Sequence, residues 1–317
     1  MNSITAERWS QLRSVPANGG IAAEQVDPDI PGCLMGVEED GSLHFLIAVG
    51  EEPREIPQEL EAVVVRVVQR DRLYLDVLSR SHYEMIFTPL VNQIFYGVAV
   101  QGRKPIDAVA DAIAEFRGAL KPLKPAMTLA EQIGLVGELW VLRNVLIPEI
   151  GARACRLWSG PYAERHDFIG ERAHIEVKST TRSEDRHEIS RLDQLRAPDD
   201  KRLLLASVQL ERTDAGEMTL ATLIDAVVGE LGADGHAIGE FQLRLAAAQW
   251  HDGLRQSSEL HRFRVRDAQF FEVEGSFPRM PDDYVPPRGI VSIRYTIDLS
   301  ARSVLDAGTV NTIVRTM

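Results

Sequence analysis

Residues 166–180 read HDFIGERAHIEVKST, and this stretch decides the fold. Asp167 begins a short apolar strand segment, Gly170, Glu171 and Arg172 supply a turn, and residues 173–179 form the next strand. Side chains alternate along a strand, so Ile175 and Val177 share one face while His174, Glu176 and Lys178 share the other. A hairpin of this size brings Asp167 near the strand that carries Glu176. Two carboxylates and one ammonium are then expected on one side of a sheet.

Two carboxylates converging on a point make a hard-oxygen site suited to Mg²⁺, with Mn²⁺ as the alternative. Such an ion can polarise a phosphoryl oxygen, lower the pKa of a bound water and orient it for in-line attack. A lysine two residues along can hold that water and offset charge on the phosphate. Asp167, Glu176 and Lys178 supply these parts.

The pattern is short, and a charged, solvent-facing strand edge would show it too in a chain with 26% charged residues. Asp199-Asp200-Lys201 fits its short half, but follows Pro198 and lies in no apolar strand. Lysine usage helps to separate the readings. Of 35 basic residues only Lys104, Lys121, Lys124, Lys178 and Lys201 are lysines, and of these only Lys178 lies within an apolar strand. A compact ammonium is not interchangeable with a planar guanidinium, and a solvated face of this chain would have received Arg.

Outward from this hairpin the chain reads as an α/β (α+β) core. Upstream, Thr128 is an N-cap with Glu131 three residues later, a capping box that opens a helix expected to run to about Leu146, where Pro148 stops it. Downstream come a helix around 189–196, a strand at 202–210, helices at 218–231 and 237–249, and strands near 269–274 and 290–299. This order gives a mixed sheet flanked by helices. In the first third, residues 43–50, 62–69 and 72–78 read as strands of a small antiparallel sheet, with Gln69-Arg70-Asp71 as a hairpin turn. Helical periodicity follows from Phe87 to Val100 and from Ile106 to Leu120, and an amphipathic helix begins the sequence. The Pro-rich KPLKP at 121–125 is the expected linker between an N-terminal region, 1–120, and a second domain, 125–317.

Composition narrows the classes. Cys33 and Cys155 stand far apart, which excludes a disulfide framework and a thiolate zinc site. No stretch reaches the roughly 18 apolar residues of a spanning helix, and the first residues do not read as a secretory signal, so no membrane role and a cytoplasmic location are expected. A net charge of −12 argues against a protein that coats nucleic acid by bulk electrostatics. Local basic groups remain: residues 151–196 hold nine Arg or Lys against eight Asp or Glu, so any DNA contact is expected there.

Five motifs in order, GLVGELWVL (134–142), LWSGP (157–161), HDF (166–168), IEVKS (175–179) and ISRLDQL (189–195), resemble the PD-(D/E)XK nuclease superfamily. More narrowly, they resemble the bacterial proteins described as PD-(D/E)XK family members of restriction and phage-defence neighbourhoods. The resemblance covers roughly residues 85–200, with His166 where the superfamily's proline would stand. It implies a restriction-endonuclease-like core, hydrolysis of DNA with Mg²⁺ or Mn²⁺, and operon partners of a restriction system. It also implies an acid on the first core helix, here Glu138, as a further metal ligand, and a glutamine near the site, here Gln194. Without it, Glu138 is an ordinary surface acid beside the buried stripe Leu135, Leu139 and Leu142, and Gln194 a polar helix residue. His174 reads as a strand-edge histidine without a partner, and Trp158 and Phe168 as core. Two other readings stay open: a non-catalytic nuclease-fold subunit that positions DNA or partner proteins, and a nuclease acting on RNA.

Overall fold

The computed structural model describes residues 3–16, 20–57, 62–116, 126–162, 164–198, 200–232, 234–257 and 259–317. It divides into two compact units, one of residues 1–123 with 238–251, the other of 124–237 with 252–317. The expected linker at 121–125 and the end of the helical stretch at Leu120 lie outside the described residues.

The first unit is built on an antiparallel sheet of five strands in the order β1-β2-β3-β5-β4. These are β1 (Ile21–Gln25), β2 (Cys33–Glu38), β3 (Leu43–Ala48), β4 (Val64–Gln69) and β5 (Leu73–Ser79). The last three match the expected strands. β1 and β2 were not foreseen, because IAAEQ is half polar and Gly36 interrupts the second. Helix α1 (Ala6–Arg13) buries Trp9 and Leu12. Helices α2 (Glu84–Ala99) and α3 (Pro105–Phe116) follow. Asp76, buried on β5, is held by His44 at 3.0 Å and by Arg66 at 2.9 Å, so its charge is paired within the sheet.

The second unit carries the mixed sheet. α4 (Leu129–Val141) opens with the capping box of Thr128 and Glu131. It ends earlier than the sequence suggests, in a π-turn at Leu142–Leu146. Pro148 follows in α5 (Ile147–Ile150), which continues directly from this turn. After α6 (Ala154–Leu157) come β6 (Phe168–Ile169) and β7 (Ala173–Thr180), an antiparallel hairpin with Phe168 opposite Ile175. The expected helix around 189–196 is instead β8 (Arg186–Ile189) followed by a 3-10 turn, Leu192–Leu195. The reason is period: His187 and Ile189 are buried while Arg186 and Glu188 are exposed, which is strand alternation.

β9 (Arg202–Arg212) runs parallel to β7, and helix α7 (Leu220–Leu231) follows, while most of α8 (Gly235–Ala247) belongs to the first unit. β10 (Phe263–Glu272) pairs antiparallel with β9, completing the sheet order β10-β9-β7-β6. β11 (Tyr295–Asp298) pairs with β8 in a small second sheet, and α9 (Ala307–Arg315) follows. Both late strands are displaced from their expected bounds: β10 begins earlier and β11 is confined to four residues. Ile189, Leu195, Leu205, Phe271 and Ile297 pack together, so the small sheet covers one face of the mixed one. No helix among the described residues is long and apolar enough to cross a membrane.

Candidate active site

Three local devices bring side chains from α4, the 158–160 segment, β6 and β7 to one place. The first is Gly137. A Cβ there would overlap Ser179 Oγ, so only a glycine lets α4 lie this close to β7 and carry Glu138 to the strand. The second is Trp158. Its ring is fully buried and donates from Nε1 to Glu138 Oε2 at 2.7 Å, while its backbone forms an antiparallel bridge with Phe168. The third is the backbone of Ser159 and Gly160, whose N–H groups both donate to the Asp167 carbonyl, at 2.7 and 3.1 Å.

Gly160 leaves a cradle. A Cβ on this residue would stand 2.5 Å from Glu138 Oε2 and 2.8 Å from Asp167 Oδ1. Two carboxylate oxygens thus face one small space that a glycine keeps open. Asp167 is fixed from the other side, since Val177 N–H donates to its Oδ2 at 2.7 Å. On β7, Glu176 is 2% exposed and its Oε1 pairs with Lys178 Nζ at 2.7 Å. Glu138, Asp167, Glu176 and Lys178 are therefore neighbours.

Their electrostatics are strained in one direction. Burial, then the charge of Asp167, holds the Glu138 carboxyl well above the usual range, with the Trp158 N–H opposing. Burial raises Asp167 as well, against the Val177 N–H and the charges of Lys178 and Arg191. Burial and Asp167 push Glu176 up to about 8, although Lys178 pulls it back. Burial, with the charge of Asp167 added at Glu138 and Glu176, thus disfavours the charged form of all three acids, and an added positive charge would oppose that.

The donor set fits a hard divalent cation. Among the described residues, no three His, Cys, Asp or Glu side chains are already drawn into a ligand cluster. Mg²⁺, however, binds through one or two carboxylates and keeps water or phosphate oxygens for the rest. The Glu138 and Asp167 oxygens at the Gly160 cradle meet that requirement, and Glu176 lies beside them behind Lys178.

Gln194 is placed differently. Its Oε1 accepts from Ser190 N–H at 3.0 Å, from Ser190 Oγ at 3.2 Å and from Arg191 N–H at 3.2 Å, closing its own turn. The same turn carries Arg191, whose charge bears on Asp167 and Glu176. His174 is not partnerless: its Nδ1 meets His166 Nδ1 at 3.0 Å, and both rings are buried. Trp158 and Gly160 are the residues the sequence reading left without a polar role. The LWSGP motif was their only signal, since nothing in five letters shows an indole aimed at a helix twenty residues upstream.

Comparison with known proteins gives one family. A family model described as "Putative PD-(D/E)XK family member, (DUF4420)" matches residues 5–300, well beyond the span of the five motifs. No curated protein and no solved structure matches the chain. PD-(D/E)XK proteins are in general nucleases that use divalent metals. The mixed sheet flanked by helices agrees with that fold, with the N-terminal antiparallel sheet as an addition. The chain belongs to this PD-(D/E)XK family.

Proposed function

We propose that the chain is a Mg²⁺- or Mn²⁺-dependent nuclease that hydrolyses DNA phosphodiester bonds within a restriction or phage-defence system. The observation that carries this reading is the approach of Glu138 Oε2 and Asp167 Oδ1 to the space over Gly160, with the Glu176–Lys178 pair beside it. Glu138, Asp167 and Glu176 would hold the ion. When bound, the ion supplies Lewis acidity toward a phosphoryl oxygen and a lowered pKa for its water.

The chain's own residues do the rest. Trp158 and the Val177 N–H orient two of the carboxylates, so the acids need not reorganise as the ion enters. Lys178 offers ammonium hydrogen bonds to the attacking water and the phosphate, and offsets the negative charge that grows there. In the reaction a water oxygen bonds to phosphorus as one ester P–O bond breaks. The water's proton leaves to solvent, and the departing oxygen is protonated in turn. Gln194 contributes by shaping the turn that carries Arg191. We assign this chemistry to the second domain, read from sequence as 125–317.

The test is incubation of the purified chain with plasmid and linear DNA, with and without Mg²⁺ or Mn²⁺. Metal-dependent cleavage that Asp167→Asn abolishes is the expected result. The net charge of −12 favours a second reading, a non-catalytic subunit that reaches DNA through partner proteins. Intact metal binding with no cleavage of DNA would select it, and cleavage of RNA alone would change the substrate.

A further inference from the structure

A second polar group lies next to Lys178 on the side away from the carboxylates. β7 and β9 are parallel, and Lys178 is the register partner of Ser207, so both side chains rise from the same face of the sheet. Ser207 is 2% exposed, and its Oγ donates to Asp185 Oδ1 at 2.7 Å. His187, on the covering strand β8, brings Nε2 to 2.8 Å from Ser207 Oγ and 3.2 Å from Asp185 Oδ1.

The proton count fixes the roles. The Ser207 hydrogen goes to Asp185, so the imidazole must donate from Nε2 to the serine oxygen. Serine and carboxylate meet the same ring nitrogen, which rules out a relay that draws the serine proton through the ring toward the acid. This is therefore no hydrolase triad. It is a hydroxyl held by two neighbours, with one lone pair left to receive a donor. The ammonium of Lys178 is the donor one strand away, since neighbouring strands stand roughly 4.8 Å apart, within the span of a lysine side chain.

We propose that Ser207, oriented by Asp185 and His187, is a positioning residue that seats the Lys178 ammonium once a cation takes Glu176. Lys178 now rests on Glu176 Oε1, the oxygen side of an acid proposed as a metal ligand. A cation held by Glu176 would displace the ammonium, which would need another acceptor to stay fixed in its half-buried setting. Ser207 Oγ provides it, with the Asp185 carboxylate behind the hydroxyl. The inference rests on the nuclease reading above, and it concerns how that site is armed.

Five lysines make the test tractable. The full chain is labelled at lysine Cε, and the Lys178 signal is assigned by its loss in Lys178→Met. Spectra are compared in EDTA and in Mg²⁺ for the parent, Ser207→Ala and Ser207→Thr. Ser207→Ala is a mild change, because His187 Nε2 keeps Asp185 Oδ1 as acceptor. Mg²⁺ is expected to shift the Lys178 signal in the parent and in Ser207→Thr. Ser207→Ala should match the parent in EDTA and differ from it in Mg²⁺. Its kcat on DNA should fall about tenfold with KM unchanged, and threonine should restore it. An equal spectral change with and without Mg²⁺, or none in either, would make Ser207 only a tie between β8 and β9 and overturn the proposal. Calorimetry separates the remaining failures: Mg²⁺ bound with Lys178 unmoved sinks this inference alone, whereas no Mg²⁺ binding sinks the nuclease reading with it.

Discussion

The indole of Trp158 donates to Glu138 Oε2 across 2.7 Å from a ring with no solvent exposure. A core aromatic residue thus aims a half-buried acid from another element. The pairing explains why Glu138, on a helix whose leucines face the core, is turned toward the Trp158 segment. It also gives the acid the one hydrogen bond that lowers its proton affinity.

Trp158→Phe should keep the packing and remove the donor. Glu138 then loses its indole hydrogen bond, a contribution of about 0.5–1.5 kcal/mol. We expect Mg²⁺ affinity to fall about tenfold and the melting temperature in EDTA to drop by a few degrees. Isothermal titration reads the first and thermal unfolding the second. Unchanged affinity would show that Trp158 only packs.

Gly160→Ala tests the cradle. The added methyl would meet Glu138 Oε2 at 2.5 Å and Asp167 Oδ1 at 2.8 Å, so both oxygens must withdraw. Mg²⁺ should no longer raise the melting temperature, while the metal-free variant stays folded by circular dichroism. A variant that still gains from Mg²⁺ as the parent does would place the ion elsewhere.

The hairpin of Asp167 and Glu176 was readable because strand period fixes facing, and the capping box at Thr128 marked its helix. Glu138 could be named only through the motif it belongs to. Its orientation depends on Trp158 and on Gly137, both long-range packing facts that no local period encodes. The segment around 189–196 was read as a helix because RHEI is too short to separate period 2 from period 3.6, and the apolar cover that settles the strand comes from β11, over a hundred residues later. Gln194 was placed on a helix for the same reason, and its turn binds it to Ser190 and Arg191.

Asp167→Asn should lose the ion without losing the fold. The amide oxygen can still accept from Val177 N–H, and repulsion among the three acids is relieved. In EDTA the variant should melt at the parent's temperature or slightly above it. Mg²⁺ at about ten times its dissociation constant should add roughly 1.4 kcal/mol to the parent alone. A variant that is destabilised without metal, in a protein indifferent to Mg²⁺, would make Asp167 a structural residue.

The His166–His174 pair sets a pH dependence. Burial lowers His166 to about 3 and His174 to about 4, against about 6.5 for an imidazole in the unfolded chain. Between these limits the unfolded chain binds more protons, so stability rises with pH there. The contribution is complete above about pH 6.5 and is lost as the pH falls toward 4 and then 3, by up to roughly 1.4 kcal/mol per unit for each ring. Raised acids such as Glu176 work in the opposite sense, so the comparison needs a variant. Replacing both histidines by Leu should flatten the fall in urea midpoint between pH 7 and 5 in EDTA. An equally steep fall would assign the slope to other groups.

Lys178→Met separates the roles of the ammonium. It removes the partner of Glu176 Oε1 and leaves that acid free to meet a cation, so Mg²⁺ binding should be kept at neutral pH or strengthened. DNA affinity should change little, because one local charge is lost while Arg191 and the rest of the basic segment remain. Turnover should fall by at least about a hundredfold, the scale expected when one donor that stabilises transition-state charge is removed. A fall in kcat and kcat/KM together is the signature of an interaction made only in the transition state. Single-turnover cleavage and fluorescence anisotropy on the same labelled duplex give the two numbers. Weaker DNA binding with normal turnover would instead make Lys178 a phosphate anchor, and would leave the activation of water to the carboxylates alone.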